Sequence, residues 1–359
     1  MTKIFRVHML PARQGDCLWI EYGDPQFPHR VLIDGGTPGT INALQERISQ
    51  LPVDERRFEL LVITHVDSDH IGGTLALVNQ NLPGLVFDDI WFNGWRHLPG
   101  SGFEEFGPVQ GEELTTWLAA PGRPWNEHFH QKTVYVPDKG PLPVKDLTGG
   151  MKMTLLSPGK KELSNLRPKW EQECHKAGID PAKPPPPLPP LPPGFEGMGA
   201  VNIDALAKSH FNQDTSEANG SSIALLAEFD GRRILLAGDA HAPVLLKNIQ
   251  RQAKGDGQER MRLDAFKLPH HGSKANLSKE LLNKIECPRY LFSTDGTQFK
   301  HPDREAAACV IRSGGPHPEL LFNYRSEYNK LWDNTQWMEK YGYSVKYPDE
   351  HQEGLQVDL

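Results

Sequence analysis

The chain has 359 residues, 38% hydrophobic and 24% charged, and its 39 Lys+Arg against 46 Asp+Glu give a formal net charge of −7. That composition belongs to an ordinary globular protein, with room for one large α/β domain or two smaller ones, and excludes fibrous and wholly disordered chains. The acidic balance also excludes any binding mode that relies on bulk positive charge, so a nucleic acid would need a local basic groove or metal ions.

The amino terminus, MTKIFRVHMLPARQGD, breaks its apolar run at Arg6, His8 and Pro11, too soon for the core of a signal peptide. Nowhere do about 18 apolar residues follow one another, so no membrane-spanning helix and no membrane partner is expected. Cys17, Cys174, Cys287 and Cys309 form no C-x-x-C pair. Reduced, buried thiols in a cytoplasmic protein are the expectation.

In chain order, IFRVHML, CLWIEY and RVLIDGG read as strands, Ile41 to Ile48 as an amphipathic helix, and FELLVITH as a further strand. A second series follows: MKMTLLS, SSIALLAEF, RRILLAGD, LDAFKLPHH, RYLFSTDG and LLFNY, with helical patterns after Ala240, Ser278 and Pro302. Strands that are apolar at nearly every position need cover on both faces, which predicts an α/β fold of two sheets packed face to face with helices outside. One domain over residues 1–359 is expected. Within it, residues 165–218 are rich in Gly, Pro and polar side chains and read as a long loop or lid. Its stretch Pro184–Pro193, PPPPLPPLPP, lacks backbone donors and suits a semi-rigid strut better than a ligand for a polyproline-binding protein.

The chemistry concentrates in THVDSDHIGG, Thr64 to Gly73, after the apolar ELLVI. His65 and Asp67 leave a strand end one residue apart and can splay around one ion, while Asp69 and His70 enter the next turn and can face a second. Aspartates here could instead cap the following helix, but four ligand-type residues packed at a strand end carry too much charge for capping alone.

These residues resemble the metallo-β-lactamase-fold hydrolase superfamily, whose hallmark is H-x-H-x-D-H after a strand. The resemblance covers most of the chain and implies an αββα sandwich of two mixed β-sheets. It implies that Asp34, in VLIDGG, lies beneath the metal loop and orients a ligand, that Asp239, in LLAGDA, bridges two ions, and that His270 or His271, in LPHHGS, binds the second ion, His271 being preferred. GDCLWIEYG, THVDSDHIGG, NGSSIAL, LLAGD, LPHHGS and a later HPD resemble in particular the hydrolase domain of the competence protein ComEC. That branch carries Asp where most of the superfamily has the second histidine, and Asp67 occupies that position; Asn219 takes the place of the third-motif histidine, with His210 as the other substitute. Oxygen donors in place of imidazoles let manganese or magnesium compete with zinc for the two divalent sites. The tighter ion is expected on Asp69, His70, Asp239 and His271, the looser on His65, Asp67, shared Asp239 and Asn219.

Two such ions lower the pKa of a bridging water toward about 7, which dispenses with a serine or cysteine nucleophile. Neither a G-x-S-x-G elbow nor a P-loop is present. Asp69 and His301 are the candidate catalytic residues, His301 as acid or substrate contact; its competing role is that of the residue ahead of a helix starting near Pro302. Ser273 and Lys274 are candidates for a substrate phosphate. The aromatic tail NYRSEYNKLWDNTQWMEKYGYSV is expected to pack on the core and not to stack bases. The expected function is a metal-dependent phosphodiesterase or nuclease acting on a phosphodiester or nucleic acid. A lactone, thioester or lactam hydrolase, and a decayed site in an interaction protein, are the competing readings.

Overall fold

A computed structural model of the protein describes residues 3–99, 109–176 and 201–359; the proline stretch lies outside them. Among the described residues, one mixed sheet has six strands in the order Leu355–Asp358, Ile4–Met9, Leu18–Gly23, Pro28–Ile33, Leu60–Val62 and Ile90–Trp91. A second has eight, in the order Ser344–Lys346, Glu319–Phe322, Arg289–Phe292, Ala265–Lys267, Arg232–Leu236, Ala224–Phe229, Lys152–Ser157 and Val144–Asp146.

Alternation along each strand decides which face meets which layer. Leu60 and Val62 point between the sheets, while Leu61 and Ile63 point to the helices beneath the first sheet. Ile234, Leu236, Ala265, Leu291 and Leu321 face the same inter-sheet core, and Leu235, Phe266, Tyr290 and Leu320 face helices on the far side. Helix Ile41–Ser49 buries Ile41, Leu44 and Ile48 against the first sheet. Helix Ala242–Gly255 does so against the second with Leu245, Ile249 and Ala253. The result is the αββα sandwich that the doubly apolar strands imply.

Helix Lys160–Lys176 departs from the loop expected from residue 165 onward. Leu163, Leu166 and Trp170 recur at helical spacing and bury in the outer core of the first sheet, an apolar stripe that the overall polarity of the segment conceals. Strand Leu355–Asp358, also absent from the sequence reading, pairs antiparallel with Ile4–Met9, Val7 opposite Val357. In the aromatic tail, Trp332 and Tyr343 join the core of the second sheet, and the Tyr343 hydroxyl donates to the Trp332 carbonyl at 2.9 Å. No helix among the described residues is long and apolar enough to cross a membrane.

Leu291 is fully buried between the sheets. Leu291→Ala should cost about 2–5 kcal/mol of unfolding free energy in urea titration, by lost burial and the cavity left behind. A loss under about 1 kcal/mol would mean that the two sheets do not share one close-packed core.

Candidate metal centre

Parallel strands in one sheet end at one edge, and here each end delivers polar residues to the same place. Strand Pro28–Ile33 is followed by Asp34, Leu60–Val62 by Thr64 and His65, Arg232–Leu236 by Asp239, Ala265–Lys267 by His270 and His271, and Arg289–Phe292 by Ser293. The Ile223 amide donates to the Thr64 carbonyl at 2.9 Å and ties the two sheets together there.

Hydrogen bonds assign the histidine tautomers. Asp34 Oδ1 accepts from the Thr64 amide at 2.7 Å, and its Oδ2 accepts from the Thr64 hydroxyl at 2.7 Å and from His70 Nδ1 at 2.8 Å. Having given its one proton to Asp34, the Thr64 hydroxyl accepts from His65 Nδ1 at 3.0 Å. His271 Nδ1 donates to the Ser293 carbonyl at 2.9 Å. With Nδ1 of all three rings protonated, each neutral ring offers a lone pair at Nε2. All three Nε2 atoms are buried without a hydrogen-bond partner, as is Asp239 Oδ1. They converge on Asp239: its Oδ2 lies 3.4 Å from His70 Nε2, 3.7 Å from His271 Nε2 and 3.9 Å from His65 Nε2.

Asp69 and Asp67 flank this group. Asp69 Oδ2 stands 3.5 Å from His271 Nε2, and Asp67 Oδ2 stands 3.5 Å from His65 Nε2. Asp67 occupies the N-cap position of helix Ser68–Asn79 yet makes no capping hydrogen bond, so capping does not account for its carboxylate. His270 closes the other side, with Nε2 3.9 Å from Asp239 Oδ2 and Nδ1 donating to Asn276 Oδ1 at 2.9 Å. Asn219 is buried beside it; its Nδ2 donates to Asp214 at 2.7 Å, and its Oδ1 has no partner. His210 is exposed and lines a cavity of about 510 Å³ whose wall includes none of these groups, which removes it as a substitute for the missing histidine.

Four residues of the centre were not singled out from sequence. Asp16 lies with His70, Asp239 and His271 in one buried cluster whose ligand atoms are all within 4.8 Å of one another. Its Oδ1 is 3.3 Å from His271 Nδ1, and its Oδ2 is ion-paired to the fully buried Lys267. Asp214 accepts from Asn219 and Asn276, and Asn276 also donates to the Asp239 carbonyl at 3.1 Å. A lysine inside the apolar strand Ala265–Lys267 was the available signal, since an ammonium is buried only with a partner. Close backbone approach explains two glycine motifs: a Cβ on Gly15 would collide with the Asp69 carbonyl, and one on Gly73 with the Gly35 carbonyl.

Electrostatics without metal follow from this crowding. Burial opposes charging of His70, but Asp239, Asp34 and Asp69 raise its pKa well above the ordinary imidazole value. His271 is raised against burial by Asp239 and Asp16, and His270 is raised to about 9, against burial, chiefly by Asp239 and Asp214. Asp239 is held well below the carboxylate range despite burial, because three histidines surround it. Buried imidazole lone pairs and carboxylates facing one point without partners are the donor set of a divalent metal site, and the residues fit one.

His301 lies next to the centre, its ring centroid 5.3 Å from that of His270. Its Nδ1 is 3.6 Å from Asp303 Oδ1, and burial lowers its pKa although Asp303 pulls the other way. The following helix starts at Arg304 with Asp303 as N-cap, so His301 is outside it. Ser273 is buried and accepts from the Ala275 amide. The Lys274 ammonium pairs with Glu305 at 2.8 Å, and its amide donates to Asp303 at 2.8 Å.

A family model described as the metallo-beta-lactamase superfamily matches residues 11–294. Among solved structures, the chain is similar to the metallo-beta-lactamase fold protein YhfI from Bacillus subtilis, at 11% identity and a TM-score of 0.42 over the whole of both chains. It is also similar to MEM-A1, a subclass B3 metallo-beta-lactamase from a soil metagenome library, at 13% identity and a TM-score of 0.33 over 77% of this chain and 86% of that one. MIM-2 metallo-beta-lactamase aligns at 12% identity and a TM-score of 0.30, over 83% and 85%. No curated protein matches the chain.

Two outcomes follow from the buried charges. His270 has a folded pKa of about 9 against about 6.5 unfolded. Its stabilising contribution is therefore complete below pH 6.5 and lost as pH rises through 9. Metal-free protein should accordingly lose urea stability across that window, while divalent-ion affinity should rise across it as protons leave the histidines; metal-free stability rising with pH would contradict the arrangement. Separately, Lys267→Met should destabilise by about 3–5 kcal/mol by stranding Asp16, and adding Asp16→Asn should recover most of that in thermal melts.

Proposed function

The chain belongs to the metallo-beta-lactamase superfamily, and on that premise we propose that this metal-dependent hydrolase is a phosphodiesterase of the ComEC-like branch, acting on a phosphodiester such as a nucleic acid strand. The observation that supports the reading is the Asp67 carboxylate, 3.5 Å from His65 Nε2 at a motif position where the superfamily usually has an imidazole; Asn219, whose buried Oδ1 has no partner, takes a second such motif position. Hard oxygen donors favour manganese or magnesium alongside zinc, the ions suited to phosphate oxygens.

In this reading His70, Asp69, Asp239 and His271 hold one ion, and His65, Asp67 and the shared Asp239 hold the other with His270 and Asn219. Bound ions would supply a nucleophilic water near neutral pH and neutralise charge on the phosphoryl oxygens. The protein's own groups orient that chemistry. In the neutral rings Asp34 places the single proton on Nδ1, of His65 through the Thr64 hydroxyl and of His70 directly, so that Nε2 faces the ion. Ser293 and Asp16 hold His271. Burial lowers the His301 pKa, which favours the ring as a hydrogen-bond donor to a substrate oxygen over a charged acid. Buried free thiols at Cys17, Cys287 and Cys309 suit the reducing cytoplasm, where we place the protein.

The test is hydrolysis of bis-p-nitrophenyl phosphate and of single- and double-stranded DNA by metal-stripped protein resupplied with Mn²⁺, Zn²⁺ or Mg²⁺. Asp239→Ala should abolish turnover while circular dichroism stays unchanged, and Asp34→Ala should weaken metal affinity about 10–100-fold. Silence on every phosphodiester with two ions bound would transfer the assignment to lactone or thioester substrates.

A further inference from the structure

Resting on the phosphodiesterase reading, we propose that Phe299 is a stacking platform for a planar aromatic group of the substrate, a nucleobase or aryl ring, whose phosphate lies at the metal centre. Phe299 is 42% exposed, although burial of a phenylalanine ring is favourable. Single exposed apolar residues are common, so exposure alone assigns nothing. Position does. The Phe299 ring lies 6.2 Å from the His301 ring at an interplanar angle of 29°, the His301 ring lies 5.3 Å from that of His270, and His270 Nε2 lies 3.9 Å from Asp239. Successive ring contacts thus link the metal centre to Phe299, an exposed ring that cannot take a charge.

The loop that carries this ring is held firmly. The Asp295 amide donates to the Arg13 carbonyl at 2.9 Å, and Thr297 donates to Asp295 Oδ1 through its amide at 2.9 Å and its hydroxyl at 2.8 Å. Gln14 Nε2 donates to Gln298 Oε1 at 2.7 Å, joining the loop to the segment that leads into Asp16. The Tyr328 ring packs against Gly296, where a Cβ would collide with it. Lys300, the residue after Phe299, has φ 59°, a left-handed conformation that is strained for a non-glycine residue and persists where the surroundings impose it. A pre-ordered aromatic ring loses little freedom when a flat ligand stacks on it.

The occupant is a ring and not an aliphatic chain, because an exposed aromatic face stacks best on another flat π-system, and every nucleobase offers one. Equilibrium dialysis of Mn²⁺-loaded protein against AMP and ribose 5-phosphate separates the two. The wild type should prefer AMP on the order of tenfold. Phe299→Ala should bring AMP down to the ribose 5-phosphate level with ribose 5-phosphate unaltered, Phe299→Trp should keep the preference, and Phe299→Leu, apolar without a ring, should lose it. Equal affinities in the wild type, full preference in Phe299→Leu, or equal loss of both ligands in Phe299→Ala would overturn the platform. Hydrolysis of thymidine 5′-p-nitrophenyl phosphate is measured in parallel. No hydrolysis with the AMP preference intact sinks the phosphodiesterase reading alone; hydrolysis without the preference sinks the platform alone.

Discussion

The Asp34 carboxylate is the group on which the order of the metal centre depends. It sits in a left-handed turn at φ 57° and spends both oxygens on Thr64 and His70. Through one shared hydroxyl it dictates which nitrogen of His65 is bare, and directly it does the same for His70. A buried carboxylate could be satisfied in many ways, but only donors with no acceptor role left to choose transmit a tautomer. Thr64 does so because a hydroxyl has one proton to give. Asparagine at this place would offer the His70 ring a donor where it now finds an acceptor, and Nε2 would gain the proton.

The second constraint is charge. Asp16, Asp34 and Asp239 are all buried at one sheet edge, where Lys267, ion-paired to Asp16, brings a permanent positive charge. Three histidines around Asp239 supply the rest by holding protons, which is why their pKa values rise together. Protons and divalent ions are thus alternative occupants of the same electrostatic well. The fold tolerates either, and the bare site without both is its least stable form.

Much of this was legible in the sequence, for a geometric reason. A parallel strand hands its ligand to the loop immediately after it, so VLIDGG, THVDSDH, LLAGD and LPHHGS each keep ligand and strand contiguous. The alternation of Leu60, Leu61 and Val62 between two cores is likewise a local pattern that announces a strand covered on both faces. What escaped is what depends on pairing across the chain. Asp16 meets Lys267 and His271 only after strands more than two hundred residues apart are packed, and Asp214 reaches His270 from the far flank of a polar segment. Helix Lys160–Lys176 was hidden by its polar majority, since three apolar residues sufficed to fix it.

The pairing of Leu355–Asp358 with Ile4–Met9 also sets a timetable. During synthesis, the first six-stranded sheet has all but one of its strands by residue 91. Its outer edge then waits for a partner made more than 250 residues later. Throughout that interval Ile4–Met9 presents unpaired backbone groups to its surroundings, the arrangement through which one chain recruits a strand from another. The nascent protein is therefore most exposed to mispairing while His65 and His70 are already in place and Asp239 and His271 are not.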